Sequence, residues 1–177
     1  FGNALWYNKD VAKTAKCFVA EVDPTFIRTQ GDNWIHVSEI DYLVEETKAF
    51  PLGTLPPPEE KPGTLEVIGE FAASLIRDGD TVQMGIGAIS ESIGYFLMDK
   101  NDIGIHSVIM TVTHVELVKR GVANGKYKTM HQGKAVAAMI VGAADLKFVD
   151  NNPAFELYSV LHTNSLLTIA AQNHQVA

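Results

Sequence analysis

The sequence has little cysteine, no long apolar run and no cluster of basic residues. Its single cysteine, Cys17, excludes an internal disulfide and fits a reducing compartment, so we expect a cytoplasmic protein. No apolar stretch approaches the roughly 20 residues that span a bilayer, which argues against a membrane partner. The formal net charge of −7, without a basic patch, argues against nucleic acid as a partner. Cys17 lies in an apolar run, residues 17–20, and is predicted to be buried and inert.

Proline divides the chain. Five of the seven prolines lie within residues 51–63, and proline fixes φ and lacks an N–H donor, so this stretch is predicted to be an extended linker. Residues 1–50 are then the C-terminal part of one α/β domain, and residues 64–177 the N-terminal part of a second. Ordinary globular sequence at both ends indicates an internal piece of a longer chain.

Apolar periodicity predicts alternating strands and helices, hence an α/β fold with open parallel or mixed sheets. Before the linker we predict a buried strand over residues 16–22 and short strands over 34–37 and 42–44. After it, Thr64 is predicted to cap a helix whose apolar face comprises Ile68, Phe71, Ala72, Leu75 and Ile76. The later predicted elements are strands over 81–84, 103–110, 135–141, 155–160 and 167–171, and helices from Ser90, from a Thr113–Glu116 capping box and over 143–148.

A glycine turn connects the strand over 81–84 to the helix that follows. Gly85 and Gly87 let a ligand approach the backbone, and the helix N-terminus presents free N–H groups with partial positive charge, which suit an oxyanion, a phosphate or a thioester oxygen. The third glycine of a dinucleotide fingerprint is missing, because Ser90 stands in its place, and no acidic residue stands at the end of the next strand to hold a ribose. The alternatives are a ligand-binding turn and a purely structural tight turn.

The remaining polar candidates are weaker. Six histidines are scattered without metal-ligand spacing, so no metal site is predicted; His106, near a strand end, is either a site residue or a hydrogen-bonded structural residue. Ser90 and Ser92 do not match the nucleophile elbow, and Ser90 is predicted to cap its helix. Lys134 either meets an anionic ligand or lies at a solvated strand entrance.

Six sequence segments, taken in order along the chain, resemble those of a known family: residues 18–24, 35–42, 83–89, 103–107, 131–134 and 148–153. They resemble the acetyl-CoA hydrolase/transferase family, in particular its 4-hydroxybutyrate and butyrate CoA-transferase branch. The resemblance implies two α/β domains with the active site between them. It implies that Gly85, Ile86, Gly87, Ala88 and His106 lie at the acyl-CoA site, that a CoA ester is the substrate, and that no cofactor is used.

The family's catalytic glutamate position is occupied here by Val108. In the family, this glutamate attacks the thioester and becomes a glutamyl-CoA thioester, a covalent route that valine cannot follow. Val112 and Thr113 replace the Asp-Gly that follows in the family, and several departures at one site indicate natural divergence. Glu91 and Glu116 are the alternative carboxylates, although helix-terminal roles explain both.

The resemblance therefore implies an acyl-CoA:carboxylate CoA-transferase, or an acyl-CoA hydrolase, that acts on short-chain acyl-CoA and is impaired at its nucleophile position. Its partners would be an acyl-CoA, a short-chain carboxylate and further subunits in a homo- or hetero-oligomer. One alternative is a non-catalytic subunit or pseudoenzyme that binds CoA esters beside an active paralogue. The other is a nucleotide-binding module, which the glycine turn alone supports.

Overall fold

The computed structural model describes residues 1–46, 63–142 and 144–177. The helices are α1 (Asn8–Thr14), α2 (Thr64–Leu75), α3 (Ala88–Phe96), α4 (Val112–Lys119), α5 (Leu146–Val149), α6 (Val160–Thr163) and α7 (Leu166–Ala171). The strands are β1 (Val19–Val22), β2 (Gln30–Gly31), β3 (Tyr42–Glu45), β4 (Thr81–Val82), β5 (Gly104–Ile105), β6 (Ile109–Met110), β7 (Ala135–Ala137), β8 (Met139–Ile140), β9 (Phe155–Leu157) and β10 (Gln175–Val176). Short 3-10 turns occupy Val37–Glu39 and Leu97–Asp99. No helix in these ranges is long and apolar enough to cross a membrane.

The strands form small parallel sheets, which confirms the predicted α/β class. Their orders are β1-β3, β10-β4-β5, β2-β9-β7 and β6-β8, and the paired strands run parallel. The sheets with β5 and β7 meet at an isolated bridge between His106 and Val136, where the Ser107 N–H donates to the Val136 carbonyl at 3.0 Å. The residues that follow β5 thus connect the sheet β10-β4-β5 to the sheet β2-β9-β7.

The residues before the proline-rich segment pack on those after it. β2 pairs with β9, the Trp6 N–H donates to the Ala138 carbonyl at 2.9 Å, and Leu5 is fully buried in the same core as Phe155. The predicted linker over 51–63 lies outside the described residues except for Gly63. The division of the chain into parts of two domains therefore stays a prediction.

Two predicted strands change their sheet partner midway. The strand expected over 103–110 is β5, which pairs with β4, followed by β6, which pairs with β8. The run 135–141 is likewise divided into β7 and β8 at Ala138, whose N–H donates to the Val108 carbonyl at 3.0 Å. An unbroken apolar run identifies buried strand but carries no information on where its partner changes.

Other predicted elements are wrong. Residues 34–37 do not form a strand, because the Glu39 carboxylate accepts from the His36 N–H and the His36 ring accepts from the Ser38 N–H, and these local bonds favour a 3-10 turn. Residues 167–171 are helix α7, since a short apolar run is equally compatible with helix and strand. The strand within 16–22 exists as β1 but is mostly exposed, and Cys17 is exposed as well.

The four predicted helices form, as α2, α3, α4 and α5, with different ends. Gly63 rather than Thr64 precedes α2, and α3 begins at Ala88, so Ser90 lies inside α3 instead of capping it. The buried residues of α2 are the small Gly69 and Ala73. Of the predicted apolar face, Ile68, Phe71 and Leu75 are exposed, while Ile76, directly after the helix, is buried. A side chain at residue 69 would collide with Ser92, which explains why glycine stands at the contact between the two helices.

Candidate active site

The turn that follows β4 is open on its outer side. Gly85, Ile86 and Gly87 are exposed, whereas Met84 directly before them is buried. Gly87 precedes α3 with φ +123°, a conformation that side chains rarely adopt, and no atom lies within 4 Å of the place where its Cβ would be. The backbone at the start of α3 is therefore accessible to a ligand, and the first N–H groups of a helix have no acceptor within it, as an oxyanion site requires.

The end of β5 is fastened to this turn. Ser107 is buried, and its hydroxyl donates to the Met84 carbonyl at 2.8 Å. Val108 follows and is half-buried. The structure therefore brings together the two sequence strings from which the site was predicted, the glycine turn and the segment 106–108.

His106 is enclosed behind this strand end. Its ring is fully buried; Nε2 lies 3.1 Å from the Thr163 carbonyl, and Nδ1 lies 3.4 Å from the Gln172 side-chain amide. A carbonyl only accepts, so Nε2 carries the proton and Nδ1 accepts from Gln172. Burial, followed by repulsion from Lys128, lowers the pKa of His106 to about 4, while the bond to Thr163 acts in the opposite direction. The neutral ring, with both nitrogens hydrogen-bonded, supports the end of β5 from the protein interior. A direct contact of His106 with a ligand stays a prediction.

The two alternative carboxylates occupy different places. Glu91 accepts from the Thr113 N–H at 3.3 Å, so its carboxylate lies at the N-terminus of α4, a helix that begins shortly after Val108 in the sequence. Glu116 is bonded to Arg120 Nε at 2.7 Å on the outer side of α4. The predicted capping box of Thr113 and Glu116 is wrong: Thr111 and His114 form it, with the Thr111 N–H donating to His114 Nδ1 at 3.1 Å.

Sequence reasoning missed a polar cluster behind the site. The rings of His131, His162 and Tyr158 contact one another with centroids 4.4 to 5.1 Å apart, and the Nε2 atoms of the two histidines are 3.0 Å apart. Glu156 accepts from the Tyr158 hydroxyl at 3.0 Å and lies 3.4 Å from His131 Nδ1. His131 is far in sequence from Glu156, Tyr158 and His162, so spacing gave no signal. Within the described ranges, no group of three or more metal-ligating side chains is arranged around a common point.

Lys134, the other predicted ligand contact, takes part in this cluster. Its ammonium donates to the Pro153 carbonyl at 2.7 Å and lies 3.8 Å from Glu156. Lys134 therefore connects the start of β7 to the loop that precedes β9. This agrees with the alternative that it lies at a strand entrance and does not bind a ligand.

We expect the protein to lose stability between pH 6.5 and pH 4. Burial lowers the pKa of His114 to about 4, as it does that of His106. Between that value and the ordinary histidine pKa of about 6.5, the unfolded chain binds more protons than the folded one, so the free energy of unfolding falls as pH falls, by roughly 3 kcal/mol for each ring. Urea unfolding at pH 7.0, 5.5 and 4.5 measures it. A His106→Gln variant should show a smaller but still positive slope, because burial also lowers the pKa values of His114, His131 and His162, and an unchanged slope would contradict the assignment.

The chain is similar to several proteins named as CoA-transferases. The chain is 46% identical over 179 residues to 4-hydroxybutyrate coenzyme A transferase from Clostridium kluyveri, an alignment that covers 100% of the chain and 41% of the relative. It is 35% identical over 161 residues to succinyl-CoA:cyclohexane-1-carboxylate CoA transferase from Geobacter metallireducens, covering 89% of the chain and 36% of the relative. The chain thus spans about two fifths of the length of these curated relatives.

The fold comparison agrees with the sequence comparison. The crystal structure of 4-hydroxybutyrate CoA-transferase from Porphyromonas gingivalis matches with a TM-score of 0.89 and 34% sequence identity, over 98% of this chain and 44% of that one. No protein-family model matches the chain.

Proposed function

Because this chain is homologous to CoA-transferases along its whole length, we propose that the protein moves CoA between a short-chain acyl-CoA and a free carboxylate, in impaired form. The observation that carries the proposal is the open Gly85–Gly87 turn fastened by Ser107 to the strand end that bears Val108. We propose cytoplasmic location and assembly into an oligomer as further parts of the same proposal.

The glycine turn would bind the thioester carbonyl. When a nucleophile adds to the carbonyl carbon, the electron pair of the double bond moves to the oxygen, and backbone N–H groups at the start of α3 stabilise that charge. Collapse of this intermediate restores the double bond and expels CoA as a thiolate. Ile86 in the turn and Ile89 in the first turn of α3 are both exposed, and a short acyl chain would lie beside them.

The nucleophile determines which reaction follows. A carboxylate at residue 108 would form a mixed anhydride and then a thioester with CoA, but the aliphatic side chain of Val108 has no electron pair to donate. Water needs only access to the thioester and the same oxyanion site, so slow hydrolysis survives this replacement better than transfer. We therefore propose that release of free CoA exceeds transfer to acetate.

The valine at residue 108 also favours a second candidate function. A chain that keeps the acyl-CoA site but lacks a nucleophile would bind CoA esters without turnover, as a non-catalytic subunit beside a glutamate-bearing paralogue. Purification from native cells separates the two proposals, because constant co-purification of such a paralogue, with no turnover by the isolated protein, favours the subunit.

Assay and binding measurements test the proposal together. The protein is incubated with acetyl-, butyryl- or 4-hydroxybutyryl-CoA, with and without acetate, and chromatography quantifies free CoA and newly formed acyl-CoA. Calorimetry measures the affinity for CoA esters and for NAD. We expect CoA esters to bind more tightly than NAD, with free CoA as the main product; no binding of CoA esters, or tighter binding of NAD, would overturn the proposal.

A pair of glycine variants locates the site. Gly87→Ala should weaken CoA-ester binding roughly tenfold, because a Cβ at φ +123° shifts the peptide units whose N–H groups face the ligand. Gly121→Ala, at the end of α4 with φ +77° and equally open surroundings, is the matched control and should leave binding unchanged. Equal binding by both variants would place the ligand elsewhere.

A further inference from the structure

A lysine lies buried at the junction between two sheets. Lys128 is 3% exposed, and its ammonium donates to the carbonyls of Ile105 and Lys134, each at 2.8 Å. Ile105 ends β5 and Lys134 directly precedes β7, so one side chain fastens the two strands beside their bridge at His106 and Val136. The lysine stem crosses β5 at Gly104, where a Cβ would lie 2.7 Å from Lys128 Cγ.

This burial is expensive without a carboxylate partner. An ammonium removed from water loses several kcal/mol of hydration, which two carbonyl acceptors repay only in part. Among the described residues, Lys128 forms no ion pair within 4 Å, although the charge of Glu156 acts on it. An apolar side chain would fill the same space at lower cost, so the ammonium indicates a role beyond packing.

The contacts of Lys128 continue to the glycine turn. From Ile105 the chain passes through His106 to Ser107, whose hydroxyl donates to the Met84 carbonyl directly before Gly85. Gln172 supports the same strand end from the other side: its amide nitrogen donates to His106 Nδ1 and to the Met130 carbonyl, and its oxygen accepts from the Met130 N–H. Lys128 and Gln172 therefore connect the loop over 124–134 to the segment that bears Val108.

We propose that Lys128, with Gln172, is a positioning residue that holds the 106–108 strand end in place against the glycine turn. The inference rests on the proposed function, because it assigns these residues to the geometry of that site. In this role Lys128 acts through the Ile105 carbonyl at the end of β5, and Gln172 acts through the ring of His106, which follows it. A displacement of about 1 Å between a nucleophile and an oxyanion site is enough to lower a rate about 100-fold.

The test uses Lys128→Met, which keeps the length of the side chain and removes its charge. Lys126→Met is the matched control, since Lys126 lies two residues earlier in the same loop, is exposed and pairs with Asp102. Hydrogen exchange of the peptide over 103–110 should accelerate in Lys128→Met and stay unchanged in Lys126→Met. Gln172→Leu should accelerate the same peptide less, and it decides the question if Lys128→Met does not fold.

Enzyme kinetics distinguish a positioning role of Lys128 from a purely structural role. In whichever chain transfers CoA, native or Val108→Glu, Lys128→Met should lower kcat about 100-fold with KM nearly unchanged. Faster exchange without a loss of kcat would overturn the inference, and so would unchanged exchange. If neither chain acts on CoA esters, the proposed function fails, and exchange alone decides whether Lys128 holds the strand end.

Discussion

A Val108→Glu variant transfers CoA from butyryl-CoA to acetate roughly 10⁴-fold faster than the native chain; this is the largest effect we expect, because loss of a covalent nucleophile commonly costs that factor. The new carboxylate would stand beside Ser107, which is fastened to the carbonyl before the glycine turn, and the half-buried position leaves it access to a ligand. Chromatography of acyl-CoA products measures the rate, and mass spectrometry of the protein detects CoA bound as a glutamyl thioester.

Val108→Gln is the matched control for this gain. Glutamine has nearly the same shape as glutamate but forms no thioester with CoA, so neither the gain nor the adduct should appear. A native chain as active as Val108→Glu would show that residue 108 is not the nucleophile position. In that event Glu91, whose carboxylate lies at the N-terminus of α4, is the carboxylate to replace next, as Glu91→Gln.

The parts of the site that sequence predicted are those that local chemistry determines. The turn at Gly85–Gly87 was identified because paired glycines between a strand and a helix let a ligand approach the backbone, and Gly87 adopts a positive φ. The departure at Val108 was visible because the flanking residues, Gly104 to Ser107, keep the family pattern. Both inferences needed only neighbours in the chain.

The parts that sequence missed depend on distant contacts. The roles of Lys128 and Gln172 arise because residues 23 and 66 positions away from the strand end fold back onto it. The exposure of Ile68, Phe71 and Leu75 on the predicted apolar face of α2 was not foreseen, because periodicity shows which residues share a face and does not show what covers them. The changes of strand partner at 106–108 and at Ala138 were not predicted for the same reason, because strand pairing depends on residues that are distant in the sequence.

Gly31→Ala is expected to lower the free energy of unfolding by about 3 kcal/mol or more. Gly31 has φ +90°, and a Cβ there would lie 2.4 Å from the carbonyl oxygen of Leu157 and 2.8 Å from its nitrogen, both backbone atoms of β9 that cannot rotate away. The left-handed backbone costs roughly 1–2 kcal/mol and the collision roughly 1–3 kcal/mol. Urea unfolding followed by circular dichroism measures the change.

Gly121→Ala isolates the collision from the backbone conformation. Gly121 has φ +77° with no contacting atom within 4 Å of its Cβ position, so Gly121→Ala should lower the free energy of unfolding by only about 1 kcal/mol. Both variants restrict the unfolded chain equally, so their difference reports the contact between β2 and β9. Equal losses would mean that β2 does not pack on β9 in solution.

The shape of the unfolding curve of Gly31→Ala also bears on how the two segments are joined. β2 comes from the residues before the proline-rich segment and β9 from those after it, and Leu5 shares the core of Phe155. Because a cooperative unit unfolds in one step, strain at Gly31 should move a single transition to lower urea. Two separate transitions, with only the first one shifted, would instead support independent folding on either side of residues 51–63.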